Sequence, residues 1–324
     1  MAKFYYLIGG VIMFFCVSIA CSKSEAFVKA EGMIWNTVYH VTFQGPKELQ
    51  DSILPVLNDV SKSLSVFDKN SLVSELNAKD RVKADPHLIK VYNASIKINE
   101  LSSGRFDPTV SPLVDAWGFG IGHTASRDTL AIDSILDFVG ILKTKIQDGT
   151  IIKEDPRVHF NFSAIAKGYG CDAVGDMFKR NGVSNYMVEI GGEISLSGHS
   201  PSGGKWRIAI DVPQEGVESG KEAAEILELT DAGIATSGNY RNFREENGRK
   251  VGHTISPTTG RPVESEILSA TVIAPTCMEA DGLATACMAG TVEEAQELLK
   301  MARVEGVLIT ANGSVWVPGK TARN

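Results

Sequence analysis

Tyr186-Met187-Val188-Glu189-Ile190-Gly191-Gly192-Glu193-Ile194-Ser195-Leu196-Ser197 holds two short runs of strand-forming residues joined by paired glycines. Such runs read as strands over 185–190 and 193–198. Paired glycines permit positive φ, which a tight hairpin turn needs; they also let backbone approach a ligand closely. A hairpin makes its two strands antiparallel. Further strands are expected near 205–211, 224–230, 250–255 and 268–274. Consecutive strands outnumber strand–helix–strand units, so the fold class is α+β, mainly antiparallel sheets with packed helices. No GxGxxG follows a strand, so the dinucleotide fingerprint of a doubly wound fold is missing.

Upstream of the hairpin, a strand over Val158–Phe162 is expected to meet a helix from Ser163 to about Asn181. Downstream, helices over 276–289 and 291–303 precede a terminal hairpin (305–310, 314–317) turning at Asn312-Gly313. Nearer the start, Val38–Phe43 has strand composition. Leu54, Leu57, Val60 and Leu64 mark an amphipathic helix over Leu49–Leu64. Asn70-Ser71 caps a short helix, and Pro86 opens another ending near Ser102 before Gly104. A helix over Thr129–Phe138 and a hairpin at Asp148-Gly149 look peripheral.

The chain has 324 residues, 43 % hydrophobic and 22 % charged, ordinary for a globular protein. Its net charge of −7 and lack of a basic run argue against nucleic acid as the main partner. Residues 1–20 have the layout of a signal peptide: Lys3, an apolar run from Phe4 to Ala20, then Cys21. Ser18-Ile19-Ala20-Cys21 is similar to a bacterial lipobox, with Cys21 as the lipidated residue; an uncleaved membrane anchor is the alternative. Residues 21–30 then serve as a polar tether and 31–324 as the folded domain. The remaining Cys171, Cys277 and Cys287 form no CxxC or Cys/His cluster and read as small buried residues.

Several segments could carry chemistry. On the helix from Thr276, Asp281 and Thr285 lie one turn apart on one face. A carboxylate and a hydroxyl suit a hard cation such as Mg²⁺ that also holds phosphate. The same spacing equally fits a helical Asp beside a Thr that bonds its own backbone. Ser163-Ala164-Ile165-Ala166-Lys167-Gly168 begins a helix, where free N–H groups and Lys167 favour an anion; a Ser163 N-cap with a solvated Lys167 is the plainer account. Asp107-Pro108 reads as an N-cap and first helical residue, in a loop where Phe106 could also touch a ligand. Ala235-Thr236-Ser237-Gly238 reads as a polar loop. His253 ends a strand before a Pro/Gly turn, a place from which a general base is easily presented, although lone histidines usually serve structure.

In order and spacing these segments resemble the ApbE family, the FAD:protein FMN transferases. The resemblance runs from about Gly32 to Val317. It rests on Ser71–Asn77, Phe106–Leu113 with Trp117–Gly120, Ala164–Tyr169, Gly191-Gly192, Ala235–Gly238, His253–Pro262 and Ala274–Thr285. It implies an enzyme that splits FAD and passes FMN to a Thr or Ser hydroxyl of a target flavoprotein, releasing AMP. It implies Mg²⁺ on the Asp281 carboxylate, the Thr285 hydroxyl and the Ala164 carbonyl. Flavin contacts would come from Trp35, Phe67, Arg105, Phe106, Asp107, Asn161, Lys167 and Ile255, with His253 as base. Lipid anchoring to the bacterial cytoplasmic membrane, facing the periplasm, would go with it. Phe67, Asn161 and Ser256 stand where the family often has Tyr, Asp and Asp. Two rival readings are an FAD pyrophosphatase and an exported FAD-binding protein without turnover.

Overall fold

The computed structural model describes residues 26–119, 129–211, 223–238, 243–246, 249–252, 254–263 and 265–319. Strands β1 (Phe27–Ile34) and β2 (Thr37–Gln44) are joined by Trp35 and Asn36, at φ 51° and 58°. Two residues of positive φ match the right-handed twist of the flanking strands. α1 (Ile53–Leu64) buries Ile53, Leu57, Val60 and Leu64; its expected first turn, 49–52, belongs instead to a 3₁₀ helix over Lys47–Ser52. The Ser71 hydroxyl caps α2 (Leu72–Ala78) by accepting from the Ser74 N–H at 3.1 Å. After β3 (Arg81–Lys83), Asp85 caps α3 (Pro86–Leu101), accepting from the Leu88 N–H at 2.8 Å. Then come α4 (Ser111–Ala116), α5 (Thr129–Leu136) and the hairpin β4 (Thr144–Gln147) and β5 (Thr150–Lys153).

The second half contains α6 (Ser163–Arg180), β6 (Tyr186–Ile190), β7 (Glu193–Ser197), β8 (Trp206–Asp211) and β9 (Ala223–Leu229). It continues through β10 (Gly233–Gly238), β11 (Phe243–Glu246), β12 (Arg249–Gly252) and β13 (Ile267–Ala274). It ends with α7 (Cys277–Met288), α8 (Val292–Ala302), β14 (Glu305–Thr310) and β15 (Gly313–Val317). The main sheet has eight strands in the order β1-β2-β6-β7-β10-β13-β14-β15. Every neighbouring pair in it is antiparallel, so the α+β expectation holds.

Helices cover one face of this sheet and the β8–β9 hairpin covers part of the other. Alternation along the central strands makes this possible. Ala235, Val272 and Ala274 pack with Ile165, Ala280 and Leu283, whereas Ile234 and Ile273 pack with Trp206, Ile208, Leu227 and Leu229. β13 is therefore buried on both sides. α7 is buried almost all round, and its run of Ala, Gly and Cys lets neighbours come close. Cys171, Cys277 and Cys287 are free and buried, as their isolation in sequence suggested.

Four expectations need correction. The tether cannot reach residue 30, because β1 pairs with β2 from Phe27 onward. Residues 158–162 form no strand; they run as a loop into α6. Ala235–Gly238 is part of a strand, β10, not a loop. Asp107 caps no helix: α4 starts only at Ser111, with Val110 at its N-cap. The signal segment and Cys21 lie outside the described residues. Among the described residues, no helix is long and apolar enough to cross a membrane.

Candidate active site

α6 and α7 lie side by side, and the expected cation ligands meet between them. The Thr285 hydroxyl is 3.4 Å from the Ala164 carbonyl oxygen. One turn away, Asp281 Oδ2 accepts from the Gly168 N–H at 2.9 Å. In a regular helix that N–H points at the carbonyl four residues back, here Ala164. Sharing it with Asp281 leaves the Ala164 oxygen with lone-pair capacity to spare. Ser237 Oγ, from the end of β10, is 3.3 Å from Thr285 Oγ1 and adds another oxygen. Reading 235–238 as a loop hid this contribution.

The charges around these oxygens are arranged for a cation. Asp281 is 4 % exposed. Burial, then the nearby Glu193 carboxylate, push its carboxyl well above the usual range, against the pull of Lys167. Glu193 is itself buried and raised by burial; its Oε1 pairs with Lys167 Nζ at 2.5 Å. Its other oxygen, Oε2, is buried with no hydrogen-bond partner. Burial alone would lower the Lys167 ammonium, but Glu193 and Asp281 together outweigh it and raise it. Burial raises both carboxyls, and Glu193 raises Asp281 further; a positive charge beside them would favour their ionised forms. A hard, oxygen-seeking divalent cation fits these oxygen donors. Among the described residues, no three His, Cys, Asp or Glu side chains group to hold a metal ion, so a cation here would rest on one carboxylate with carbonyl and hydroxyl oxygens.

Glu193 was not singled out in the sequence. In sequence the polar residues at 193, 195 and 197 alternate with Ile194 and Leu196, which reads as a solvent-facing edge, whereas in the fold Glu193 and Ser195 are buried on β7. Ser195 Oγ donates to Asp172 Oδ1 at 3.2 Å. Asp172 also accepts from the backbone N–H groups of Cys277 (3.0 Å) and Met278 (2.8 Å). Burial outweighs these bonds and pushes its carboxyl up to about 6, against about 3.9 for an aspartate in an unfolded chain. Between those values the unfolded chain has lost a proton that the folded chain keeps. The stabilisation from Asp172 is therefore complete below about pH 4 and is lost as pH rises through about 6. Asp172→Asn should flatten that part of the dependence of Tm on pH, as thermal unfolding at half-unit steps from pH 4 to 7 would measure.

The remaining expected residues surround the start of α6 to different degrees. α6 starts with Phe162, not Ser163, at its N-cap, and Asn161 Oδ1 accepts from the Ser163 N–H at 3.0 Å. The Asn161 N–H donates to the Pro108 carbonyl at 2.7 Å, bringing the 105–109 loop alongside. Gly104, at φ +84°, lies against Thr258, which brings the 254–263 loop to the same place. Within these loops Phe106 is fully buried in the core. Asp107 is buried too, and accepts from the Thr109 hydroxyl and from the Asn99, Thr109 and Ile141 nitrogens. Ile255 packs with Leu113, Ile132 and Val139. The side chains of Phe106, Asp107 and Ile255 are thus committed to the protein's own packing. Arg105 reaches the start of α8, with Nη1 at 3.4 Å from Glu294 Oε1 and Nε buried without a partner. Trp35 donates from Nε1 to Ser61 Oγ at 2.6 Å and lays its ring on Gly170 of α6. Phe67, by contrast, is 72 % exposed. His253 lies outside the described residues.

Solved structures that share this fold include flavin transferases. The flavin transferase ApbE from Vibrio cholerae superposes with a TM-score of 0.79 at 32 % identity, covering 91 % of this chain and 97 % of that one. The apo flavinyl transferase ApbE from Pseudomonas stutzeri gives 0.82 at 30 % identity, covering 92 % and 96 %. In sequence, the FAD:protein FMN transferase of Vibrio cholerae is 38 % identical over 281 residues, 83 % of each chain. That of Haemophilus influenzae is 34 % identical over 330 residues, 95 % of each chain. Residues 35–309 match the ApbE family as a whole, and the chain belongs to that family.

Proposed function

We propose that this chain is a Mg²⁺-dependent FAD:protein FMN transferase, anchored through a lipid on Cys21 to the bacterial cytoplasmic membrane and facing the periplasm. The observation that carries the reading is the meeting of Asp281, Thr285 and the Ala164 carbonyl beside Lys167. Similarity to enzymes named for this activity supports it. Bound Mg²⁺ would neutralise pyrophosphate charge and make the phosphorus more electrophilic. Lys167 offers a second positive charge from the first turns of α6, where main-chain N–H groups also favour phosphate. A threonine or serine hydroxyl oxygen of the target attacks the FMN phosphorus. The bond from that phosphorus to the bridging oxygen breaks, and AMP leaves with that oxygen. The hydroxyl proton passes to a base, a role assigned to His253. Phe67, exposed on the loop after α1, offers a ring for the isoalloxazine to stack on.

The test is incubation of the protein with FAD, Mg²⁺ and a candidate flavoprotein, followed by mass spectrometry of the flavoprotein and chromatography of the nucleotides. An FMN-sized adduct on one Thr or Ser with equimolar AMP is the expected result. Free FMN and AMP without an adduct would replace this reading with FAD pyrophosphatase activity. Intact FAD would replace it with FAD binding alone.

A further inference from the structure

The contacts between α6 and α7 form a ladder of constant register. Ala164 faces Thr285, Gly168 faces Asp281, and Asp172 faces Cys277. Each step takes four residues forward on α6 and four back on α7, as antiparallel helices in fixed register require. The first two rungs hold the cation donors. The third, about 12 Å along the axis from the first at 1.5 Å per residue, holds none.

That third rung is built unlike an ordinary helix cap. The first N–H groups of a helix lack intrahelical partners, and a local side chain usually meets one of them. In α7 the local cap, Thr276, takes the Glu279 N–H at 3.1 Å. The N–H groups of Cys277 and Met278 go instead to the two oxygens of Asp172, a residue 105 positions earlier on the neighbouring helix. Ser195 on β7 also donates to that carboxylate, at Oδ1. A two-oxygen grip on two successive amides resists both sliding and rotation of α7. Burial disfavours the charged form of Asp172, so the grip is kept at a cost in stability.

Building on the metal reading above, we propose that Asp172 is a positioning residue of the cation site. It fixes the axial register of α7 on α6 and so holds Asp281 and Thr285 opposite Gly168 and the Ala164 carbonyl. It touches neither cation nor substrate and acts through the helix. Outer residues that orient metal ligands typically contribute tenfold to a hundredfold in affinity.

The experiment is titration of the folded protein with Mn²⁺ at pH 8, followed by electron paramagnetic resonance of the free ion, for unmodified protein, Asp172→Asn and Ser195→Ala. Asp172→Asn turns an amide NH₂ towards one of the α7 N–H groups and should weaken Mn²⁺ binding on the order of tenfold. Ser195→Ala loosens only the support of the carboxylate and should weaken it less, in the same direction. A purely structural role would lower Tm and leave the affinity of the folded protein unchanged. Unchanged affinity in folded Asp172→Asn would overturn this inference alone. If that variant fails to fold, Ser195→Ala decides: unmodified affinity there overturns the inference, weakened affinity supports it. Absence of Mn²⁺ binding by the unmodified protein would overturn the metal reading and this inference with it.

Discussion

Replacing Asp281 by alanine should lower FMN transfer by about a thousandfold, the upper end of the range for losing one group that stabilises transition-state charge. Asp281 is the only carboxylate among the three proposed ligands. Without it a carbonyl and a hydroxyl remain, two neutral oxygens that compete poorly with water for a hard divalent ion. Lys167 would then face the phosphates alone, and it is already paired with Glu193. Loss of the fold is a poor explanation for such an effect, because the Asp281 carboxyl is penalised by its own burial. Asp281→Asn separates the two causes: it keeps an oxygen for the Gly168 N–H and removes only the charge. Both variants should stay folded and lack the rise in Tm expected of the unmodified protein if Mg²⁺ binds its folded state. AMP release and thermal unfolding with and without Mg²⁺ measure the two effects. Turnover within tenfold of the unmodified protein in either variant would sink the metal assignment.

The antiparallel sheet was legible because its signals are local. Gly191-Gly192 and Asp148-Gly149 sit between runs of strand-forming residues, and both turns are present; the terminal hairpin turns one residue earlier than expected, at Ala311-Asn312, with Gly313 paired to Thr310. α1 and α3 announced themselves through spacing and caps. What escaped depended on contacts between distant segments. β10 has the composition of a loop, Gly-Ile-Ala-Thr-Ser-Gly, because α7 crosses it so closely that a Cβ on Gly233 would collide with the Thr276–Cys277 backbone. Small residues were demanded by packing, and strand propensity gave way to it. Asp107 followed the rule for an N-cap but serves the loop around it, where Asn99, Thr109 and Ile141 surround its carboxylate. At the candidate site, spacing placed Asp281 and Thr285 on one face of α7, and both side chains do meet α6. Nothing in one helix could reveal Glu193 or Asp172, whose roles exist only where β7, α6 and α7 meet.

Gly168→Ala gives the second large effect, and its sign is diagnostic. In an exposed helix interior this change stabilises by roughly 0.5–1 kcal/mol, because glycine loses more backbone freedom on folding. Here a Cβ would stand 2.7 Å from the Cys277 carbonyl carbon and 2.8 Å from Asp281 Cβ, and closer still to the Cys277 oxygen. These are main-chain atoms and a side-chain root, so no rotamer change relieves the clash. Overpacking of this kind costs about 1–3 kcal/mol, enough to offset or exceed the propensity gain. The helices must move apart, and the rungs on either side open with them: Thr285 from Ala164, and Cys277 and Met278 from Asp172. The variant should show no gain in Tm, or a fall of a few degrees, with a loss of transfer activity of a hundredfold or more. Gly182→Ala is the contrasting control. It lies just past the end of α6, where a Cβ meets nothing within 4 Å; its positive φ of 78° makes the change a mild backbone strain remote from the site. It should lower Tm while transfer activity per folded molecule stays intact. A Gly168→Ala protein that is more stable and fully active would show that the close approach of α6 and α7 is not what holds the cation ligands together.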